Sequence, residues 1–233
     1  MKLSNETLAL LKNFASINTN IMFRPGSTIT TMSSVKNVFA VAKVAETFPK
    51  EVAIYDLNSL LSLLTLMENQ EIEFNDNSLS ITKDQGKFEY FYSRPEIIVA
   101  PPAGKSIEFD NHFQFKLTAE DVQIINKAAA ITSAPHIFIT SKNQSVTISV
   151  ADRKNKTANS YTKQVGTCMV DFDAFIGVEL FKIIPDAYTV TVSKKKLIHF
   201  KHHSKDLEYW LACDPESVIW VTWLKLVNKM ESY

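Results

Sequence analysis

Three residue groups in this 233-residue chain have types and spacings that could carry chemistry. Ala103-Gly104-Lys105-Ser106 ends as a phosphate-binding loop ends, but such a loop needs another glycine five residues before Gly104, where Val99 stands. His199, His202 and His203 are imidazoles that suit a metal. Strand residues of opposite parity face opposite sides, so His199 and His202 do not readily share a site. Neighbouring lysines raise the cost of a cation, and a solvated strand and turn is expected. Asp171 and Asp173 resemble a general acid and base, yet they stand where a helical pattern begins, and helix capping accounts for them. No Ser/His/Asp or Cys/His arrangement stands out. The chain is therefore expected to be no enzyme, without catalytic residues, metal or cofactor.

The polar faces of the helical patterns are more informative. Asn5, Lys12, Asn13 and Ser16 lie opposite the leucines of a first pattern, and Gln123, Asn126 and Lys127 do so in a third. Ser59, Ser62 and Thr65 mark the second, and Lys182 ends a fourth. Beyond the first turns the one acid among these positions is Glu179. A lysine alone on such a face is as consistent with solvent as with phosphate, so its recurrence on repeated helices carries the weight.

Those helices are positioned by a duplication. Lys2-Leu3-Ser4, followed by Glu6, Leu8, Leu10, Leu11, Ala15 and Ile17, returns as Lys116-Leu117-Thr118, followed by Glu120, Val122, Ile124, Ile125, Ala129 and Ile131. Ala53-Ile54-Tyr55-Asp56-Leu57-Asn58 returns at nearly the same offset as Cys168-Met169-Val170-Asp171-Phe172-Asp173. Ser4, Thr118, Asp56 and Asp171 are the N-cap candidates, for a helix with Leu8, Leu11 and Ala15 on one face and for helices over 119–131, 57–67 and 172–184, the last stopped by Pro185. Short apolar runs between them read as strands, at 21–23, 38–44, 72–74, 79–82, 88–92, 137–140, 146–150, 188–192, 197–200 and 207–212. Pro95, Pro101 and Pro102 around Ile97-Ile98-Val99 mark an extended surface connector. The predicted organisation is a first domain at 1–94, a connector at 95–115, a second domain at 116–217 and an apolar extension at 218–233.

Composition narrows the class. A 45% apolar content supports two cores of about 110 residues each. Lys plus Arg and Asp plus Glu number 25 each, which argues against a DNA-coating protein and allows a single basic surface. Two cysteines, Cys168 and Cys213, form no disulfide framework, which points to a reducing cytoplasm. The N-terminus carries no export signal, and no run approaches the roughly 18 to 20 apolar residues of a membrane span.

Met1-Lys2-Leu3-Ser4, Leu10-Leu11-Lys12-Asn13-Phe14-Ala15, Ile17-Asn18, the run 52–58, Val99-Ala100-Pro101 and Tyr209-Trp210-Leu211-Ala212 give the chain a family likeness. It resembles the DNA polymerase sliding clamps of T-even-type bacteriophages, over roughly residues 1–217, more strongly in the first domain. The resemblance implies an α+β DNA-clamp fold of two similar domains, each with two helices on antiparallel sheets. It also implies a ring, trimeric in the phage clamps, that encircles duplex DNA and tethers the replicative polymerase. Twelve helices spaced about 9 Å apart make a circle roughly 34 Å across with about 24 Å free inside, enough for a duplex of about 20 Å. Eight would leave about 13 Å. Lysines that line such a ring need only diffuse phosphate contacts, since closure does the holding. The expected DNA-facing cations are Lys12, Lys127 and Lys182, with Lys36, Arg153 and Lys154 in loops. Clamps hold partner tails in an apolar groove, which transfers to Met32, Val35, Phe39, Ile97, Ile98, Val99, Leu211 and Ala212. Implied partners are duplex DNA, polymerase, a clamp-loading ATPase, late-transcription factors and other copies of the chain, in the cytoplasm of an infected cell. The alternative in another class is a clamp-fold scaffold that does not encircle DNA, with an unrecognised hydrolase a distant third.

One departure from the phage pattern is the extension, where a helix would align Ile219, Trp223, Leu226 and Met230 in a stripe that packs on its own or a neighbouring subunit.

Overall fold

The computed structural model describes residues 1–67, 71–110 and 113–219. Residues 220–233, with Trp223, Leu226 and Met230 of the expected stripe, lie outside the described residues. In chain order the elements are α1 (Asn5–Ile17), β1 (Ile21–Phe23), β2 (Gly26–Met32), β3 (Val38–Phe48), β4 (Val52–Ile54), α2 (Leu57–Leu66), β5 (Glu71–Phe74), β6 (Ser78–Lys83), β7 (Gly86–Phe91), β8 (Phe113–Leu117), α3 (Ala119–Thr132), β9 (His136–Lys142), β10 (Ser145–Ala151), β11 (Tyr161–Thr167), β12 (Phe172–Gly177), β13 (Tyr188–Ser193), β14 (Leu197–His202) and β15 (Leu207–Ala212). The chain divides into two compact units. One comprises Met1–Ser106 with Ser204–Tyr209, and the other Ile107–His203 with the described residues from Trp210.

Three helices begin where side-chain oxygens can satisfy their first amides. Ser4 Oγ accepts from the Thr7 N–H at 3.2 Å, and Asp56 Oδ1 from the Ser59 N–H at 3.1 Å. Thr118 and Asp121 form a reciprocal capping box at 3.2 and 3.0 Å. In the first unit β1 pairs antiparallel with β4, β2 with β3, and β5, β6 and β7 form a meander. Its core joins Leu11, Phe14, Ile54 and Leu57 to Phe23 and Phe48, whose rings stack 4.5 Å apart.

In the second unit the strand order is β11-β10-β9-β12, all antiparallel, and α3 packs on β10. β13 pairs with both β8 and β14. β9 and β10 alternate buried and half-buried residues, as strands with one face on a core must, and Ile139 and Ile148 pair across them.

The α+β class and the antiparallel sheets agree with expectation, but the second helix expected of the second half does not form. Residues 172–177 are β12, in register with β9 from Phe172 opposite Ser141 to Gly177 opposite His136. A helix here would leave the β9 edge unpaired beside buried Ile137 and Ile139, and would place Gly177 in its interior at a cost of about 1 kcal/mol. A short 3-10 turn, Val178–Leu180, follows. Asp171 and Asp173 therefore cap no helix. Residues 113–115, read as connector, belong to β8. β2, β4 and β11 were not expected either; the first and last are Thr-, Gly- or Lys-bearing strands with little apolar alternation. Val218, expected in a helix, instead bridges Asp173 by two backbone hydrogen bonds of 2.7 and 2.8 Å, with Ile219 buried beside it.

Candidate functional site

Helical periodicity decides which α1 and α2 side chains reach solvent. α1 buries Leu10, Leu11, Phe14 and Ala15 and leaves Asn5, Lys12 and Ser16 exposed. Asn13, expected on the polar face, is half-buried and accepts the Tyr209 hydroxyl at 2.8 Å. α2 buries Leu57, Leu60, Leu61 and Leu64 and exposes Asn58, Ser59, Ser62 and Thr65. Ser62 and Thr65 donate back to the carbonyls of Asn58 and Leu61 at 2.9 and 2.8 Å, so their hydroxyls serve the helix first. Between these faces runs an open groove of about 740 Å³ with Lys12 on one side and Lys83 on another, lined also by Asn58, Ser62, Thr65 and Leu66. No acid lines it. Lys83 was not foreseen, because it ends β6 and shares no period with either helix.

The other expected cations divide by setting. Lys127 is exposed on α3 next to exposed Gln123, Ala130 and Ile131. Lys182 is exposed after the 3-10 turn and on no helix, a correction that follows from β12. Lys36 sits at φ 60° in the turn between β2 and β3, closed by its N–H to the Ser33 carbonyl at 2.9 Å. Lys154 is exposed after β10. Arg153 is committed locally, paired with Glu216 and stacked 4.9 Å over the Phe175 ring.

On α3, burial alone would raise the Asp121 pKa, yet hydrogen bonds from the Lys163 ammonium and from Thr118 hold it below the ordinary value, and the same bond raises Lys163. Asp56 is lowered by the Ser59 hydroxyl and N–H.

The start of the connector is fastened to the first unit by polar side chains. Asn18 Nδ2 donates to the carbonyls of Met32 and Val99 at 2.8 and 2.9 Å, Asn20 Oδ1 accepts the Val99 N–H at 3.1 Å, and Arg24 Nη2 reaches the Pro101 carbonyl at 2.8 Å. Ile98 packs on Met22 and Ala53 beside Ala100. Of the expected groove residues, Val35 and Ile97 are 73% and 60% exposed, Met32 and Val99 half-buried, and Phe39 and Ile98 buried. Leu211 is fully buried and offers no surface, while Ala212 is half-buried. Asn18 thus brings Met32 and Val99 together, a link that sequence spacing does not show.

The catalytic and metal alternatives find no support in the geometry. His199 and His202 are buried, against the solvated strand expected: His199 stacks 4.6 Å from Trp210, and His202 Nε2 lies 2.9 Å from an Asp186 carboxylate oxygen. His203 is exposed, 3.2 Å from the Thr189 hydroxyl. Among the described residues no three His, Cys, Asp or Glu side chains converge on a metal-sized site. No helix among them is long and apolar enough to cross a membrane. Cys213 is buried and its thiol is pushed up to about 12, chiefly by desolvation, whereas Cys168 is half-buried.

Two units with helices set on antiparallel sheets define a known fold. The chain superposes with TM-scores of 0.63 on the proliferating cell nuclear antigen of Entamoeba histolytica, at 16% identity over 89% of this chain and 94% of that one, and 0.65 on the PCNA2-PCNA3 complex of Sulfolobus tokodaii, at 12% identity over 90% and 96%. Residues 4–99 match the family of DNA polymerase processivity factors. The sliding clamp of Vibrio phage KVP40 is 31% identical over 221 residues, covering 92% of this chain and 99% of that protein. The sliding clamps of Escherichia phage RB69 and Enterobacteria phage T4 are each 29% identical and align with 93% of this chain and 98% of theirs. The chain belongs to the sliding clamps of T4-like phages, the DNA polymerase processivity factors.

Proposed function

We propose that this chain assembles as a homotrimeric ring around duplex DNA and tethers the replicative polymerase, retaining DNA by enclosure and performing no catalysis. The observation that carries this reading is kinship along essentially the full length of the phage clamps, so both units and the connector are shared. The groove with Lys12 and Lys83 supports it, because mobile phosphate contacts need positive charge without a fixed docking geometry. Lys127 on α3, with Lys182, Lys36 and Lys154 on turns, extends the same role, and Arg153 contributes less because Glu216 already holds it.

Ring closure needs two unlike surfaces on each copy, since head-to-tail contacts close into rings. Among the edge strands of the described sheets are β7, with exposed Phe88 and Phe91, in the first unit and β11 in the second. Such edges pair readily with another chain. With three α-helices among the described residues of each chain, helix counting no longer selects the number of copies, since nine such helices from a trimer would leave only about 16 Å inside. The clamp-loading ATPase and late-transcription factors would be further partners, with Val35, Ile97, Met32 and Val99 as the accessible part of their groove.

Retention on circular against linear duplex tests the proposal. A topological link survives a salt rise on a nicked circle and is lost within minutes once the circle is cut. Equal loss from both substrates would overturn it.

A further inference from the structure

We propose that Asn18, seconded by Asn20, is the positioning residue for partner binding, a role that rests on the tethering reading above and places control of the groove in the loop between α1 and β1. That loop, residues 18–20, joins several segments of the first unit. The Asn18 N–H closes α1 on the Phe14 carbonyl at 2.9 Å, and the Thr19 carbonyl accepts the Leu57 N–H at the start of α2 at 2.8 Å. Asn20 Nδ2 adds a bond of 2.6 Å to the Tyr55 carbonyl. The loop is thus held by the two helices that carry the Lys12 groove.

A primary amide has two N–H donors and one carbonyl oxygen, and Asn18 spends them in different directions. Nδ2 donates to the Met32 carbonyl at 2.8 Å and to the Val99 carbonyl at 2.9 Å, while Oδ1 accepts the Asn20 N–H at 2.9 Å. Asn20 Oδ1 in turn accepts the Val99 N–H at 3.1 Å. Val99 lies in no strand, so both its backbone groups are held by side chains of this loop.

Met32 ends β2 at the root of the hairpin that exposes Val35, and Val99 follows the exposed Ile97 in the connector. One carboxamide therefore sets the spacing of two segments that offer apolar side chains to a partner. Asp in its place has no donor and Ser has one, so the two carbonyls can be held together here only by a residue with two. Loss of those donors leaves two half-buried carbonyls without these partners and frees the segments to separate. Walls fixed beforehand spare a bound tail the cost of ordering them.

The test uses the full-length protein in its native assembly, with the DNA polymerase encoded by the same phage as the probe. Surface plasmon resonance without DNA should show Asn18→Ala and Asn18→Asp each binding polymerase about tenfold more weakly than the unaltered chain, the loss expected for two neutral hydrogen bonds. Thr19→Ala, exposed in the same loop, should bind as the unaltered chain does. Both Asn18 variants should exchange the Val99 amide hydrogen faster and still be retained on circular DNA. Unchanged polymerase affinity in both Asn18 variants overturns the proposal, as does equal weakening by Thr19→Ala. A loss of retention on the circle that matches the loss of polymerase binding also overturns it, because Asn18 would then serve the fold alone. An unaltered chain that binds no polymerase overturns the tethering reading and takes this proposal with it, an outcome distinct from failure of the Asn18 variants to differ.

Discussion

Asp121 does two jobs with one carboxylate, closing the α3 capping box with Thr118 and receiving the Lys163 ammonium from β11. Its folded pKa lies below the ordinary value of 3.8, so the charged form stabilises the fold above that value, and this stabilisation is lost as pH falls through the lowered one. Asp121→Asn should cost about 1 to 2 kcal/mol at neutral pH and give a flatter loss of stability below about pH 4, read by urea titration across an acid series. Lys12→Gln should leave thermal stability unchanged. It should also reduce the slope of log affinity against log salt by about 0.9 for each phosphate contact removed. Lys12 was legible in the sequence because helical periodicity alone sets it opposite buried leucines. Lys83 was not, since its relation to α1 exists only in space, and the pairing of Arg153 was hidden because Glu216 stands 63 positions away. The Asn18 and Asn20 side chains were hidden for the same reason, their partner Val99 being 81 and 79 positions distant.

Among the elements, β12 is where local pattern and tertiary demand parted. Phe172, Ala174, Phe175 and Ile176 are buried in a run too short for its period to separate helix from strand, and the likeness to the α2 segment favoured a helix. The open flank of β9 decided the matter, and no local signal reports a neighbour's unpaired edge. Phe175 stacks on Phe138 at 5.3 Å and meets His136 edge-on at 5.6 Å. Phe175→Ala should therefore cost about 3 to 5 kcal/mol in chemical denaturation, the loss expected of a buried aromatic. A cost below about 1 kcal/mol would contradict the strand packing. The three capped helices were readable because Ser4, Asp56 and Thr118 announce their starts chemically.

For the assembled protein, light scattering should give about three times the chain mass of 26.3 kDa. A mass of one or two chains at working concentration would remove the trimer. The duplicated segments made a two-part chain legible, but the interchange of a helix for a strand in the second half was beyond their reach. The contrast between the two thiols has a practical outcome. A maleimide dye added at neutral pH should mark Cys168 and spare Cys213, whose proton is held too firmly for attack. Each copy of the chain would then carry a single reporter without mutagenesis, and opening of the proposed ring could be followed by fluorescence in unaltered protein.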